Sequence, residues 1–304
     1  MYNTECVIMR RETEFSMKKL LFIMVLCLSL LALPTTIAEE TEPLLPIDFS
    51  AGMEPDPDFY LSDREYEDPT LHVVIEENRV DNCDYWVARI KVKDASQLRT
   101  MSAGGFDTSM SMKGTALAKR VNAVLAIDGD YYCYTGTGYI LRQGELYLDL
   151  LIGERDVLLI DEDGDFHVVH KPNAGEVSDT VNGKKVINAF YFGPILVENG
   201  EVPEVVDGPN MAATERRQRM CLAQTGPLEY MVVCCEAPAR GSSGMTLRQF
   251  AELVATLDVD IAYNLDGGDS TMLIFDGEKL NDVTSTSTRS ICDIIYFASA
   301  YEEE

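Results

Sequence analysis

The sequence predicts an α+β fold in which a mixed, mainly antiparallel sheet carries a few flanking helices in a single domain. Three observations support this prediction. Apolar residues alternate with other residues from Tyr85 to Val92, which is the period of two expected of a half-buried strand. Two segments stand out for their helical spacing of apolar residues. Asn-Gly or Asp-Gly pairs favour two-residue hairpin turns. Such pairs occur at 163–164, 182–183, 199–200 and 276–277, and each lies between two strand-like segments.

The two predicted helices span 109–121 and 247–257. Thr246 and Gln249 fit a capping box at the start of the second helix, in which each side chain satisfies a free backbone amide. This helix leads into an apolar strand at 261–265, and a second apolar strand is predicted at 123–127. Residues 219–235 form a predicted hairpin that turns at Thr225-Gly226-Pro227.

The amino terminus has the order of a secretory signal peptide. Lys18 and Lys19 precede an apolar run of 14 residues, 20–33, and a small-residue cleavage pattern follows at 36–38. The run is shorter than the roughly 20 residues that a membrane span needs. We therefore predict a signal peptide over 1–38, with Met17 as an alternative start. The mature protein is expected to be secreted or extracytoplasmic and to have no membrane span.

Residues 39–70 contain five prolines among acidic residues and show no periodicity. This composition predicts an acidic, proline-rich and irregular lead-in. The folded domain is predicted to extend over 71–304.

The chain has 46% hydrophobic residues and 25% charged residues, which is typical of a globular protein. Its formal net charge of −26 argues against nucleic acid or an anionic membrane as a partner, because both would be repelled. Acidity alone identifies no partner, since many exported proteins are acidic.

Six of the eight cysteines follow the predicted leader. An exported protein can form disulfides, but six cysteines allow fifteen pairings, and buried free thiols are an equal alternative. Cys234 and Cys235 are adjacent in an apolar strand, so their side chains are predicted to lie on opposite faces.

A polar constellation follows the strand at 261–265. Asn264 and Asp266 are two residues apart and are predicted to lie on one face, where an amide and a carboxylate can act on one substrate. Gly267 and Gly268 free the backbone to approach a ligand closely. Ser270 and Thr271 add hydroxyl donors to backbone amides that can bind an anion. The alternative is a tight turn with solvated acids.

A second acidic strand end contains Asp128, Gly129, Asp130 and two tyrosines, which suit the apolar faces of sugars; the alternative is a turn with core tyrosines. Gly193 lies in a third candidate segment, 191–194. Arg219 opens the hairpin that Glu236 follows, and an arginine can bind a phosphate through two hydrogen bonds. The alternative for Arg219 is a surface salt bridge.

The order of these segments resembles that of the phosphodiester glycosidase family. The similarity lies in AIDGDYY (126–132), FGPILVENGE (192–201), RMCLAQTGPLEYMVVCCE (219–236), the long stretch 244–281 and RSICDIIYF (289–297). The long stretch is specific, and the others support it through their order. The resemblance implies a single catalytic domain that releases a sugar from a sugar-1-phosphate diester.

The resemblance also implies that these segments line one pocket. Its catalytic residues would be Asp266, Asn264, Asp128 and Asp130, and its substrate- or phosphate-binding residues Arg219, Arg289, Gly267, Gly268, Ser270, Thr271, Glu236 and Gly193. Three positions depart from the family pattern. Asp269 replaces the usual third glycine, Asp128 stands where asparagine is common, and Glu236 stands where aspartate is usual. The first two departures add acid to a site expected to receive a phosphodiester.

A phosphodiester leaving group is a weak base, so cleavage of the glycosidic bond needs little help from a general acid. We therefore expect Asp266 to act as nucleophile or base, with Asn264 orienting the sugar and Arg219 and Arg289 neutralising the phosphate. The substrate is expected to be an N-acetylglucosamine-type or related cell-surface glycan, and this reaction requires no cofactor.

Two alternatives use the same residues. Asp128, Asp130, Asp266 and Asp269 could hold a divalent cation for phosphodiester P–O cleavage, because hard cations prefer carboxylates. The other alternative is a non-catalytic carbohydrate-binding module that uses the tyrosines near Asp130.

Overall fold

Every strand pair is antiparallel in the computed structural model, which describes residues 42–106, 109–209, 211–236, 241–284 and 289–303. Three helices accompany the sheets, so the predicted α+β class is confirmed. The predicted signal peptide lies outside the described residues. Within them, no helix is both long and apolar enough to cross a membrane.

The large sheet has eight strands, and it includes the hairpin predicted at 219–235. Its strands, in spatial order, are β1 (Tyr60–Ser62), β2 (Glu65–Glu67), β3 (Leu71–Val80), β4 (Cys83–Val92), β16 (Glu229–Cys235), β15 (Arg219–Gly226), β17 (Ile261–Asn264) and β14 (Ile195–Glu198). In the hairpin, Arg219 pairs with Cys235, so Arg219 lies at the far end from the turn.

The small sheet has five strands and contains the apolar strand predicted at 123–127. Its strands, in spatial order, are β19 (Glu278–Lys279), β18 (Leu273–Phe275), β7 (Ala123–Asp128), β21 (Asp293–Ala298) and β5 (Leu98–Ser102). Strand β21 therefore lies between two strands that come from the first half of the chain.

The remaining strands form a side sheet of six and a pair of two. The side sheet contains β11 (Phe166–Val169), β10 (Val157–Asp161), β13 (Lys184–Phe190), β8 (Gly138–Arg142) and β9 (Glu145–Leu150) in spatial order, with β12 (Thr180–Val181) against β13. The pair is β6 (Met112–Lys113) with β20 (Ser290–Ile291).

The described residues contain three α-helices: α1 (Gly114–Arg120), α2 (Tyr132–Thr135) and α3 (Leu247–Ala255). The capping box predicted at the start of α3 is confirmed, because Thr246 and Gln249 satisfy each other's backbone amides. The helix predicted over 109–121 is shorter than expected. Strand β6 occupies residues 112–113, and the helix begins at Gly114.

The large and small sheets pack face to face and form the main core, to which both contribute buried residues such as Ile90, Leu222, Leu125 and Phe297. Helix α3 covers the other face of the large sheet, and helix α1 covers the other face of the small sheet. Burial of apolar surface on both faces of each sheet is the main stabilising contribution. The adjacent Cys234 and Cys235 contribute to opposite faces of the large sheet, as predicted.

Residues 43–70 differ from the irregular lead-in that the prolines predict. Strands β1 and β2 lie in this range and extend the large sheet, and Tyr66 is fully buried. The buried guanidinium of Arg99 holds the segment further upstream, because it donates to the backbone carbonyls of Pro46, Asp48 and Ser50. Side-chain partners outside the segment supply the order that its own pattern lacks.

Candidate active site

The site lies where the large and small sheets present strand ends to one another. Strand β7 ends at Asp128, and strand β17 ends at Asn264. The two ends are joined directly, because the Asp266 amide donates to the Gly129 carbonyl over 3.4 Å. The convergence of these polar strand ends follows from the face-to-face packing of the sheets.

A cleft of about 690 Å³ opens beside these strand ends. Its walls come from four segments of the chain that are distant in sequence. They are lined by Phe192, Met211, Ala212, Arg217, Gln218, Arg219, Asn264, Leu265, Asp266, Gly267, Gly268, Asp269 and Arg289. A cleft of this size can hold a sugar with a phosphate attached.

The loop after β17 packs tightly on the start of β15. A Cβ atom at Gly267 would lie 2.9 Å from the Gln218 carbonyl oxygen, so only glycine fits there. Gly268 has φ +62° and donates its amide to the same carbonyl over 3.2 Å. The two glycines therefore place Asp266 against the strand that carries Arg217 and Arg219.

Asp266 lines the cleft, and its carboxyl group has a shifted pKa. Burial raises its pKa to about 6, although hydrogen bonds from Ser270 and the Gly267 amide, and the charge of Arg289, oppose the shift. At neutral pH the group is mostly ionised, and it is the stronger base for its raised pKa. A carboxylate of this kind can act as a nucleophile or as a general base.

Asn264 lines the same cleft with one end of its side-chain amide fixed. Its Nδ2 donates to the Gly193 carbonyl over 2.7 Å, while its buried Oδ1 has no hydrogen-bond partner among the described residues. A buried acceptor without a donor is costly, so this oxygen is poised to accept a hydrogen bond from a ligand.

Asp128 lies next to the cleft but is fully buried and does not line it. Its Oδ1 accepts from the Met272 amide over 2.9 Å, and its Oδ2 has no partner among the described residues. Burial, and after it the charge of Asp266, raise the pKa of Asp128 well above its usual value. The Asp128 carboxyl group therefore retains its proton to higher pH than an exposed aspartate does.

Arg289 closes the opposite wall of the cleft and is held by two tyrosines. Its Nη2 donates to the Tyr131 hydroxyl over 3.0 Å, and its Cζ lies 5.3 Å and 5.0 Å from the ring centroids of Tyr131 and Tyr134. The two rings stack at 4.6 Å. Partial burial opposes ionisation, but the hydrogen bond to Tyr131 and the charge of Asp266 raise the pKa of Arg289.

Arg219 reaches the cleft wall, but its guanidinium faces the protein. It donates to the backbone carbonyls of four residues, Met211, Ala212, Glu215 and Met245. Burial lowers the pKa of Arg219. This contradicts the predicted role of Arg219 in neutralising phosphate, because most of its donors are already occupied. Its contacts instead fix the segment 211–215 against β15.

The predicted catalytic role of Asp130 also conflicts with the geometry. Asp130 does not line the cleft, and its carboxylate accepts from the amides of Tyr131 and Tyr191 and from Arg142 over 3.3 Å. Arg142 bridges Asp130 to Asp293 over 3.2 Å, and all three side chains are buried. Burial raises the pKa of Asp293 to about 7, although the charge of Arg142 opposes the shift.

Four further predicted residues lie outside the cleft lining. Glu236 accepts from Trp86 Nε1 over 2.8 Å and from the Asp282 amide over 3.0 Å, so it anchors a loop to the large sheet. Gly193 contributes through its carbonyl, which orients Asn264. Ser270 and Thr271 are buried beneath the loop, so their hydroxyls do not face the cleft directly.

Sequence reasoning missed two sets of residues. Arg217 and Gln218 line the cleft, and the Arg216-Arg217 pair in so acidic a chain is a signal that could have identified Arg217. Arg142 and Asp293 are charged residues at the ends of apolar strands, and both are buried. Their mutual pairing could not be read from their spacing.

Among the described residues, no group of three or more His, Cys, Asp or Glu side chains has a geometry that could hold a metal ion. The four acids predicted as alternative ligands include Asp130, whose oxygens are directed to Arg142 and two amides. The described side chains therefore offer no preformed carboxylate cage for a hard cation.

Comparisons with known proteins agree with this architecture. Residues 121–298 match the model of a family described as phosphodiester glycosidase. The chain is 23% identical over 234 residues to the SPbeta prophage-derived uncharacterized protein YomE of Bacillus subtilis, a match that covers 70% of this chain and 36% of that protein.

Two solved structures are similar in fold. One is the catalytic domain of zebrafish N-acetylglucosamine-1-phosphodiester alpha-N-acetylglucosaminidase, auto-inhibited by its pro-peptide, with a TM-score of 0.60 and 17% identity over 86% of this chain and 99% of that one. The other is a hypothetical protein from Synechocystis, with a TM-score of 0.50 and 13% identity over 75% of this chain and 62% of that one.

Proposed function

This chain belongs to the phosphodiester glycosidase family, a family of hydrolases, and from that membership we propose that it hydrolyses the bond between a sugar and the phosphate of a sugar-1-phosphodiester. The sugar is N-acetylglucosamine or a related unit of a cell-surface glycan. One observation carries the proposal. A carboxylate whose pKa burial raises to about 6, Asp266, lines the same cleft as the arginine Arg289.

In this reaction the C1–O bond breaks, and its electron pair remains on the phosphate oxygen. The departing group is a phosphate monoester, which is a weak base, so no strong general acid is required. Asp266 either attacks C1 or removes a proton from the water that does so. Oδ1 of Asn264 accepts a hydrogen bond from a hydroxyl or amide group of the sugar, and this bond orients the ring beside Asp266.

Arg289 supplies the positive charge that the phosphate requires. Its guanidinium lies against the rings of Tyr131 and Tyr134, which hold it in one orientation without occupying all of its donors. A fixed cation at the leaving group stabilises the charge that develops there as the bond breaks.

We also propose that the protein acts outside the cytoplasm. The predicted signal peptide supports this, and so does the Cys133–Cys292 disulfide, because disulfides persist in oxidising compartments. Cys83, Cys221, Cys234 and Cys235 remain as buried thiols.

The experiment that tests the activity is hydrolysis of a methyl diester of N-acetylglucosamine 1-phosphate in water labelled with oxygen-18. We expect free N-acetylglucosamine with the label on the sugar, and unlabelled methyl phosphate. Label in the phosphate would mean that a P–O bond breaks, and the metal-dependent phosphodiesterase would then be the better description. Exchange of the label at the free sugar is corrected by a parallel incubation of N-acetylglucosamine without enzyme.

A binding module makes a different prediction in the same assay. Retention of a glycan without turnover of any diester in a panel of sugar phosphodiesters would favour the non-catalytic alternative. Turnover that persists after dialysis against a chelator would argue against a divalent cation.

A further inference from the structure

We propose that Arg217 is the second side chain that binds the substrate's phosphate. In the absence of substrate, Glu215 is the ion-pair partner of Arg217, and the phosphate displaces Glu215 when it binds. The inference rests on the proposed function for the identity of the ligand. It assigns to Arg217 the phosphate-binding role that the sequence predicts for Arg219.

The arginines around the cleft differ in how their donors are used. Arg219 donates to four backbone carbonyls. Arg155 donates to the carbonyls of Phe192 and Pro209, and Arg216 donates to the Ser243 hydroxyl and the Gly244 carbonyl. Most of these partners are backbone carbonyls, so the contacts join protein segments to one another and a ligand could take their place only by separating those segments.

Arg217 is different because its recorded side-chain partner within the described residues is one exposed carboxylate. Its Nε and Nη2 both donate to the same oxygen of Glu215, the Nε over 3.1 Å. The side chains of Arg217 and Glu215 are 51% and 61% exposed. An ion pair this exposed contributes little to stability, so it is readily exchanged for another anion.

The backbone of Arg217 is fixed, although its side chain is not. Its amide and carbonyl form a reciprocal pair of hydrogen bonds, each 3.0 Å, with Met245. The backbone carbonyl of the next residue, Gln218, accepts a hydrogen bond from the Gly268 amide. The root of the Arg217 side chain is therefore held beside the loop that carries Asp266, while the guanidinium can move between Glu215 and the cleft.

The location of Arg217 complements that of Arg289. Both line the cleft, and both can keep donors for a ligand, whereas the chain as a whole has a net charge of −26. An anionic substrate approaching so acidic a protein needs local positive charge to enter. Two arginines that present planar donor groups suit a phosphodiester, because its single negative charge is shared by two non-bridging oxygens that can both accept hydrogen bonds.

The geometry gives Glu215 the role of a competitor. It occupies the guanidinium in the absence of a ligand, and the phosphate must displace it. Removal of the Glu215 charge should therefore improve phosphate binding, whereas removal of the Arg217 charge should weaken it. A purely structural ion pair would give the same sign of effect for both substitutions.

The test measures binding of N-acetylglucosamine 1-phosphate and of N-acetylglucosamine by calorimetry to four proteins: wild type, Arg217→Gln, Glu215→Gln and the neighbour control Arg216→Gln. We expect Arg217→Gln to weaken binding of the sugar phosphate about tenfold and to leave binding of the free sugar unchanged. Glu215→Gln should tighten binding of the sugar phosphate by about two- to fivefold. Arg216→Gln should stay within about twofold of wild type, because Arg216 is not among the described residues that line the cleft.

Two results would overturn the inference: sugar phosphate binding to Arg217→Gln as tight as to wild type, or weakened binding to Glu215→Gln as well. Absence of any sugar phosphate binding to wild type would also overturn it. Because the side chains are exposed, unchanged thermal unfolding midpoints serve as the control for folding.

Kinetics on the methyl diester separate this inference from the proposed function. Hydrolysis by wild type with an unchanged KM for Arg217→Gln would overturn the inference and leave the function intact. If the sugar phosphate binds in a way that depends on Arg217 but no diester is hydrolysed, the inference stands and the proposed function is overturned. If both hold, the substitution raises KM about tenfold while kcat changes by less than about threefold.

Discussion

Two groups of acidic residues and arginines lie close to one another in the folded protein, and they differ in how fully their hydrogen-bonding capacity is used. In the buried ion cluster, defined by Arg142, Asp130 and Asp293, one guanidinium bridges two carboxylates, which also accept backbone amides. In the cleft, Asp266 and Arg289 line an open space of about 690 Å³.

The difference shows that the number of hydrogen-bond and ion-pair partners, rather than the residue type, separates charged side chains that stabilise the fold from those available for chemistry. Asp128-Gly129-Asp130 places two acids on one strand end, and both were expected to be catalytic. Asp130 is saturated by Tyr131, Tyr191 and Arg142, whereas Asp128 keeps one oxygen without a partner among the described residues. A group whose hydrogen-bonding capacity is filled holds the fold, whereas one with an unpartnered oxygen can still bind a ligand.

The sharpest separation of the two groups comes from Asp266→Asn. We expect kcat on a sugar phosphodiester to fall by about a thousandfold or more, because the amide can neither attack C1 nor remove a proton. The fold should persist, since an amide oxygen can still accept from the Gly267 amide. Asp276→Asn, in the turn between β18 and β19, is the matched control and should retain wild-type activity. Turnover within tenfold of wild type in a folded Asp266→Asn protein would remove Asp266 from the mechanism.

Arg142→Met tests the other group. It leaves Asp130 and Asp293 buried without their cation, and the free energy of unfolding should fall by about 3–5 kcal/mol. Denaturant titration at neutral pH measures the loss. A decrease below about 1 kcal/mol would show that the buried ion cluster does not stabilise the fold, and the contrast with the cleft would be lost.

The pH dependence of the rate should report Asp266. Because its pKa is about 6 and the ionised form is the reactive one, kcat/KM should fall about tenfold per unit as the pH drops below 6. An alkyl glycoside releases a strongly basic alkoxide and would need an added acid, so the profile must be measured on a phosphodiester. A rate that stays level from pH 7 down to pH 4.5 would contradict this role.

Stability should change with pH in the opposite direction. Burial raises the pKa values of Asp266 and Asp293 to about 6 and about 7, so the folded protein binds protons that the unfolded chain has already released. The contribution of these two groups to stability is fully present below pH 4 and is lost as the pH rises through 6 and 7. Urea midpoints compared at pH 5 and pH 7.5, in wild type and in Asp266→Asn, measure this slope, which the substitution should reduce.

The smallest effect should come from Glu236→Gln. Glu236 Oε1 accepts from Trp86 and from the Asp282 amide, and a glutamine oxygen can accept both hydrogen bonds. We expect the free energy of unfolding to change by less than about 1 kcal/mol and KM for the diester to stay within twofold of wild type. A KM increase of tenfold would restore Glu236 to the phosphate-binding residues.

Local chemistry explains which parts of the fold the sequence could predict. The Asn-Gly and Asp-Gly turns, the capping box at Thr246 and the hairpin at 219–235 depend on neighbours within a few residues. The strands at 60–62 and 65–67 could not be predicted, because they are short and their order depends on β3 and on distant contacts.

The candidate site shows the same limit. The turn around Asp266 could be identified from its glycines and its preceding strand. The roles of Arg219 and Asp130 could not, because their partners lie in irregular segments or in other strands, and spacing carries no information on which charges meet. The pairing of Cys133 with Cys292, one of fifteen possibilities, is of the same kind.

The position of β21 has a consequence for biosynthesis. Residues 293–298 form the strand between β5, at 98–102, and β7, at 123–128, so these two earlier strands lack the neighbour that they share until residue 298 has been synthesised. Contacts of such high sequence separation slow folding. The edges of β5 and β7 that face β21 would thus stay unpaired in the nascent chain until β21 is available, which makes aggregation before that point a hazard.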